Sequence, residues 1–242
     1  MQGTIIQKNQ VETTKQFLLD VPMGKSTRTW KPVSHGELIN TTLESIDRCG
    51  FNLCNEVYRQ SSEGLKANGI FHLNYGNDPD MSLMVGFQNS YDKTLSLKIS
   101  VGGVIFICQN LVVRGDVGTF IGKHVGEIQT ISPKLLSEYI CAAGDTFEDM
   151  VKEKNRMKEI EITKRTTSEL LGRMFVEESL ITSTQLNIIK REIENPTFDY
   201  GCDDSVYQTY NFVTFSLKSC QPQDYFKSHI NVHQFFKKEF AI

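Results

Sequence analysis

The sequence holds no run of about eighteen apolar residues, so it offers no membrane-spanning helix. Its six cysteines (Cys49, Cys54, Cys108, Cys141, Cys202 and Cys220) include no Cys-x-x-Cys pair. That scatter suits neither a zinc ribbon nor the dense disulfide framework of small secreted domains, and it predicts six reduced, metal-free thiols. The N-terminal MQGTIIQKNQVETTKQF lacks the apolar core and small-residue cleavage site of a signal peptide. Together these absences predict a cytoplasmic chain. Catalytic signatures are missing too: there is no Walker loop, no G-x-G-x-x-G after a strand, no H-E-x-x-H and no G-x-S-x-G. Whether the chain is an enzyme therefore stays open, with a non-catalytic role favoured and no cofactor expected. His35, His72, His124, His229 and His233 stand apart from cysteines at ligand spacing, and nothing completes a zinc site around the His229/His233 pair. No internal repeat or low-complexity tract appears.

What is present is ordinary in bulk. The 242 residues are 39% apolar and 23% charged, which excludes wholesale disorder and allows one large or two small domains. Net charge is −3, without the strong basic footprint of a dedicated duplex-DNA binder. Two basic concentrations remain: an N-terminal group (Lys8, Lys15, Lys25, Arg28 and Lys31) and the stretch 152–165. The latter has six basic residues, Lys152, Lys154, Arg156, Lys158, Lys164 and Arg165, against three acidic ones. It reads either as a solvated helix face or as a phosphate track.

The pattern along the chain predicts an α+β fold in three parts: an N-terminal arm (1–29), one helix packed on an antiparallel meander (30–130), and an all-helical region (131–242). The arm has no sustained period, with a short strand suggested at Gln16–Val21. Ser34 is an N-cap with Glu37 three residues on, and Gly50 sits where a C-terminal glycine belongs, so 34–49 is a helix. After Phe51 the period becomes two. FNLCNEVYRQ, GIFHLNYG, MSLMVGFQNS and LSLKISVGGVIFICQNLVVRG alternate as strands, separated by SSEGLKANG, NDPD and SYDKT. Sequential strands without intervening helices imply a meander. From Ser132-Pro133 a helical stripe, Leu136, Ile140, Ala143, Phe147 and Val151, runs past Lys158. Further helices are expected from Thr167, from Ser183 to Asn195-Pro196, over DDSVYQTYNFVTFSLKSC, and briefly over HINVHQFFKKEF.

Three segments carry unusual polarity. GFQNSYDKT (86–94) spends Asn89, Ser90 and Asp92 at a strand end, which fits either an Asx-type turn or a site. VIFICQN couples an apolar strand to Cys108 and Asn110; a thiol without a placed base is core sulfur by default. GKHVGEI sets Lys123 and His124 between glycines, which fits equally a phosphate-holding loop or a loop under packing constraint.

These segments, with VSHGEL before them and helices after, resemble the phage- and plasmid-associated family known as domain of unknown function 932. The resemblance spans roughly residues 30–235. It rests on the capped helix, on Asn89, Ser90 and Asp92, on the Cys108-x-Asn110 match, and on the basic Lys123-His124 segment. Gln109 departs from the smaller residue more common there. The resemblance implies residence on mobile elements and no established reaction. In topology alone, the helix and sequential strands are similar to RecT-type single-strand annealing proteins.

Two functions follow as expectations. The first is single-stranded nucleic-acid binding or annealing in phage or plasmid DNA metabolism, with the six basic residues of 152–165 neutralising phosphate and Tyr58, Tyr75 and Tyr91 stacking bases. The second is a protein-interaction module that blocks a host defence complex, for which the acidic charge and the arm are suited. A third reading, an enzyme built on Asn89, Asp92, Asn110 and His124, requires those groups to converge. A homo-oligomer is compatible with either of the first two.

Overall fold

The computed structural model describes residues 11–28, 30–61, 63–105, 107–108, 110–113, 119–122 (backbone), 133–220 and 224–242. The α+β class holds. Seven strands form one sheet in the path β1 (Val11–Thr13), β2 (Asn52–Ser61), β3 (Lys66–Asn74), β4 (Met81–Ser90), β5 (Leu97–Ile105) and β6 (Leu111–Val112), with β7 (Thr119–Gly122) also on β5. Every pairing is antiparallel. The expected meander over 51–114 is therefore present, and no helix interrupts its described residues. Helices follow as α3 (Pro133–Cys141), α4 (Ala143–Glu159), α5 (Lys164–Gly172), α6 (Ser183–Glu194), α7 (Val206–Ser216) and α8 (Tyr225–Phe240). Two more, α1 (Lys15–Asp20) and α2 (His35–Arg48), precede the meander.

Period-two alternation sorts the strands onto two faces. Phe71 and Leu73 of β3, Leu83, Val85 and Phe87 of β4, and Ile99, Val101 and Ile105 of β5 form one face. They join Leu38, Ile39 and Ile46 of α2 and Phe147 and Met150 of α4 in a single core. Each such side chain contributes about 1.5–3 kcal/mol on full burial. The opposite face carries Met84 and Val104, covered by Tyr225 and Phe226 at the start of α8. α2 begins where Ser34 Oγ accepts the Glu37 N–H and ends at Gly50, whose φ of +74° suits glycine.

The N-terminal part is less of an arm than its sequence suggests. The strand expected at Gln16–Val21 is the helix α1, capped by Thr14, and the strand lies earlier, at Val11–Thr13. Leu18 is fully buried in the core. A six-residue helix is too short for periodicity to announce. Other boundaries shift as well. β3 starts at Lys66, within the expected turn; the helix expected to run past Lys158 breaks at Ala142 into α3 and α4; and α5 opens at Lys164, capped by Thr163. α8 spans sixteen residues rather than a short segment.

The cysteine expectation is corrected. Cys49, just past α2, is disulfide-bonded to Cys141 at the end of α3 across a sequence separation of 92, while Cys54, Cys108, Cys202 and Cys220 are free. Spacing rules missed the pair because α2 and α3 bring its Cα atoms to 5.1 Å through packing. Thiol titration of the denatured, non-reduced protein should find four thiols, rising to six after reduction. Replacing both partners by serine should cost roughly 2–4 kcal/mol in urea unfolding, because the unfolded chain regains the freedom of a long loop.

Candidate nucleic-acid interface

The sequence-selected polar residues separate into buried fasteners and surface charges. Asn89 is fully buried at the end of β4. Its Nδ2 donates to Val33 O at 2.8 Å and lies 3.0 Å from His35 Nδ1, while His35 Nε2 lies 2.9 Å from Gly64 O. An amide NH2 can only donate, so Nδ1 accepts and Nε2 carries the proton towards the carbonyl. The His35 ring stacks on Tyr91 at 3.8 Å between centroids, and the Tyr91 hydroxyl accepts the His35 backbone N–H at 2.6 Å. This cluster ties the start of α2 to β4 and to the β2–β3 turn. Asp92 behaves as an Asx-type turn: Oδ1 accepts from the Thr94 N–H and hydroxyl, and Oδ2 pairs with Lys66 at 3.4 Å. Burial pushes its carboxyl up, but the Thr94 bonds and Lys66 outweigh that and hold it below the usual carboxylate range. Ser90 Oγ closes the same turn against Leu95.

Asn110 sits at the other end of the sheet. Its Nδ2 donates to Asn211 O, Asn211 Oδ1 and Thr214 Oγ1 at 3.1–3.2 Å, fastening α7 to the β5–β6 turn. Cys108 is buried beside Asn211, and burial pushes its thiol up to about 11, which suits core sulfur rather than a nucleophile. Asn89 and Asn110 are separated by the length of β4, roughly 26 Å at about 3.3 Å per residue. Asn89, Asp92 and Asn110 do not converge. Lys123, His124 and the Arg-Gly-Asp segment 114–116 lie outside the described residues.

The basic stretch also divides. Lys154 is buried, and its Nζ donates to both oxygens of Asp78 and to Asp80; Lys158 donates to Asp80 at 2.5 Å and lies over the Tyr207 ring. Burial raises the Asp80 carboxyl, but these two lysines outweigh it and hold it below its ordinary value. This ion cluster locks the β3–β4 turn to α4. Lys152 and Arg165 are exposed in pairs with Asp149 and Glu169, and Arg156 and Lys164 are exposed. The six residues do not form one continuous phosphate track. Tyr58 and Tyr91 are buried, so of the three expected stacking faces Tyr75 alone is part-exposed.

A different set of polar groups comes together on the sheet face away from α2. Arg59 pairs with Asn68, Asn68 with Gln88, and Gln88 with Lys98, in one row across β2, β3, β4 and β5. Residues directly opposite one another point to the same side, so the four side chains share a face, about 14 Å across at about 4.8 Å per strand. Gln88 is 1% exposed, and neither its Nε2 nor its Oε1 has a hydrogen-bond partner; the Oδ1 of Asn68 also lacks one. Arg59 and Asn68 line a narrow cleft with Val57, Ile70, Tyr225 and Phe226, with room for about one water (≈ 10 Å³). Gly86, next to Gln88 on this face, lies under the Phe226 ring, where a Cβ would stand 3.0 Å from a ring carbon. Burial lowers the Lys98 ammonium, with Asp224 opposing and Lys227 adding to the shift. Two cations thus flank a pair of amides with unsatisfied donors and acceptors.

Comparison with family models, curated proteins and solved structures finds no match for the chain. The resemblance to domain of unknown function 932 therefore rests on its four motifs alone.

Two measurements test these assignments. Asn89→Ala strands Val33 O and His35 Nδ1 in the core and should cost about 2–4 kcal/mol in urea unfolding. His229 is fully buried, and burial lowers it to about 3, outweighing a backbone contact at Leu111 that raises it. Its folded pKa lies below its unfolded one, so its contribution is complete above about pH 6.5 and is lost as pH falls towards 3. Between pH 7 and 5 it should account for about 2 kcal/mol of lost stability, and His229→Phe should flatten that limb of the pH–stability curve.

Proposed function

We propose that the chain binds single-stranded nucleic acid on the second face of its sheet, in the DNA metabolism of a phage or plasmid. The observation that carries the reading is the cross-strand row Arg59–Asn68–Gln88–Lys98. Single-strand binders combine cations for the backbone with groups that meet unpaired bases, and this row has both kinds. Lys227, exposed at the start of α8, extends the positive surface. An overall charge of −3 does not exclude the proposal, since Arg59, Lys98 and Lys227 lie on or beside this face with Asp224 as the acidic group near Lys98. Among the described residues no helix is long and apolar enough to cross a membrane.

A second reading has its own observation. Val11, Phe17, Leu19 and Met23 near the N-terminus, and Leu65 in the β2–β3 turn, are large apolar side chains left exposed. Such residues suit a protein interface, with a host defence complex or with a second copy of the chain.

Fluorescence anisotropy with a thirty-base oligodeoxythymidine separates the two. Three cations engaged on single strands, at about −0.7 each, give a slope of log affinity against log salt near −2. Arg59→Glu with Lys98→Glu should abolish binding, whereas Lys152→Glu with Arg156→Glu should leave it within about threefold. No binding at about 50 mM salt would sink the nucleic-acid reading, since the electrostatic term is strong there.

A further inference from the structure

We infer that Gln88, with Asn68 beside it, is a base-edge subsite, taking the hydrogen-bonding edge of one unstacked nucleobase while Arg59 and Lys98 hold the backbone on either side. The inference rests on the nucleic-acid reading above and deepens it by naming what the amides recognise.

The reasoning starts from satisfaction of polar groups. A buried carboxamide that makes no bond to its own chain is rare, because each unpaired donor or acceptor costs free energy. Gln88 leaves both ends of its amide unpaired at 1% exposure, and Asn68 leaves its Oδ1 unpaired directly opposite. Asn89, one residue on but facing α2, is half-satisfied: its Nδ2 is consumed by Val33 O and His35 while its Oδ1 has no partner, whereas Gln88 lacks partners at both ends. The ligand that completes Gln88 must offer a donor and an acceptor side by side. A phosphate or carboxylate offers acceptors alone and would set its charge against Oε1. A nucleobase edge offers both, which is why Gln and Asn pair with bases. A peptide group also offers both, but not the negative charge that Arg59 and Lys98, at the two ends of the row, are suited to meet.

The surroundings fit a flat ligand. Gly86 lets the Phe226 ring pack directly on the strand beside Gln88, so one wall there is already aromatic. The cleft beside Asn68 has room for about one water (≈ 10 Å³), so the subsite requires the part-exposed Arg59 side chain, on its long flexible stem, to swing aside as the base enters.

The test compares, on the full-length chain, a thirty-base oligodeoxythymidine with an oligomer of the same length and charge made entirely of abasic units. The wild type should bind the abasic strand at least tenfold more weakly, with the same salt slope. Gln88→Leu should lose most of that preference by weakening binding to the base-bearing strand alone. Its melting temperature should stay at or above that of the wild type, because the amide it removes bonds nothing in the chain. Asn68→Ala, at a part-exposed position, should narrow the preference in the same direction and covers the case in which Gln88→Leu fails to fold. Equal affinity of the wild type for the two strands, or an unchanged preference in both variants, overturns the subsite while leaving backbone binding intact. Absence of binding to either strand overturns the nucleic-acid reading and the subsite together.

Discussion

Asn89 and Asn110, at opposite ends of the sheet, hold the two layers in register. Each spends its Nδ2 on groups of a distant segment, Val33 and His35 in one case and Asn211 and Thr214 in the other. Apolar packing between the layers is strong but tolerant of sliding, since one aliphatic contact replaces another at little cost. A buried amide is not tolerant: a slip of β4 by one residue would turn Asn89 to the other face and take its donor away from Val33 O and His35 Nδ1. The positions of α2 and α7, and through them of the ion clusters on α4, follow from these two contacts.

Much of the fold was legible in the sequence because its signals are local. The Ser34 cap, Gly50 and the period-two strands up to Ser90 depend on neighbours within a few residues, and the meander follows from strands that succeed one another without helices. What was not legible depends on distance. Cys49 and Cys141 meet through helix packing. Lys154 reads as one of six surface cations until the β3–β4 turn brings Asp78 and Asp80 against it. The candidate row was hidden for the same reason: Arg59, Asn68, Gln88 and Lys98 lie on four strands, and only the register makes them neighbours. In GFQNSYDKT attention fell on Asn89 and Asp92, which are structural, whereas Gln88 next to them faces the other side of the sheet.

Charge on α4 shows why a count of lysines is a poor guide to a binding surface. A helix distributes consecutive residues around its axis, so the basic residues of 152–158 belong to different faces. Lys154 and Lys158 turn towards the β3–β4 turn, while Lys152 and Arg156 face outwards. Glu153 turns inward as well, where its oxygens meet His233 at 2.9 Å and Lys237 at 2.6 Å, and His233 in turn meets Tyr210. Most of the inward charge of this helix is thus neutralised within the fold and contributes little to the field outside.

The bond between Cys49 and Cys141 encloses strands β2 to β7 within one covalent ring. A pulling force applied at the chain ends would pass from α2 to α3 through the sulfur atoms and bypass the meander. The residues of the ring amount to roughly 300 Å of fully extended chain at about 3.3 Å each, a length that stretching releases only after reduction. Strands β2 to β7 are thereby shielded from tension that unravels β1, α1 and the C-terminal helices, as when a protease or translocase draws on one end.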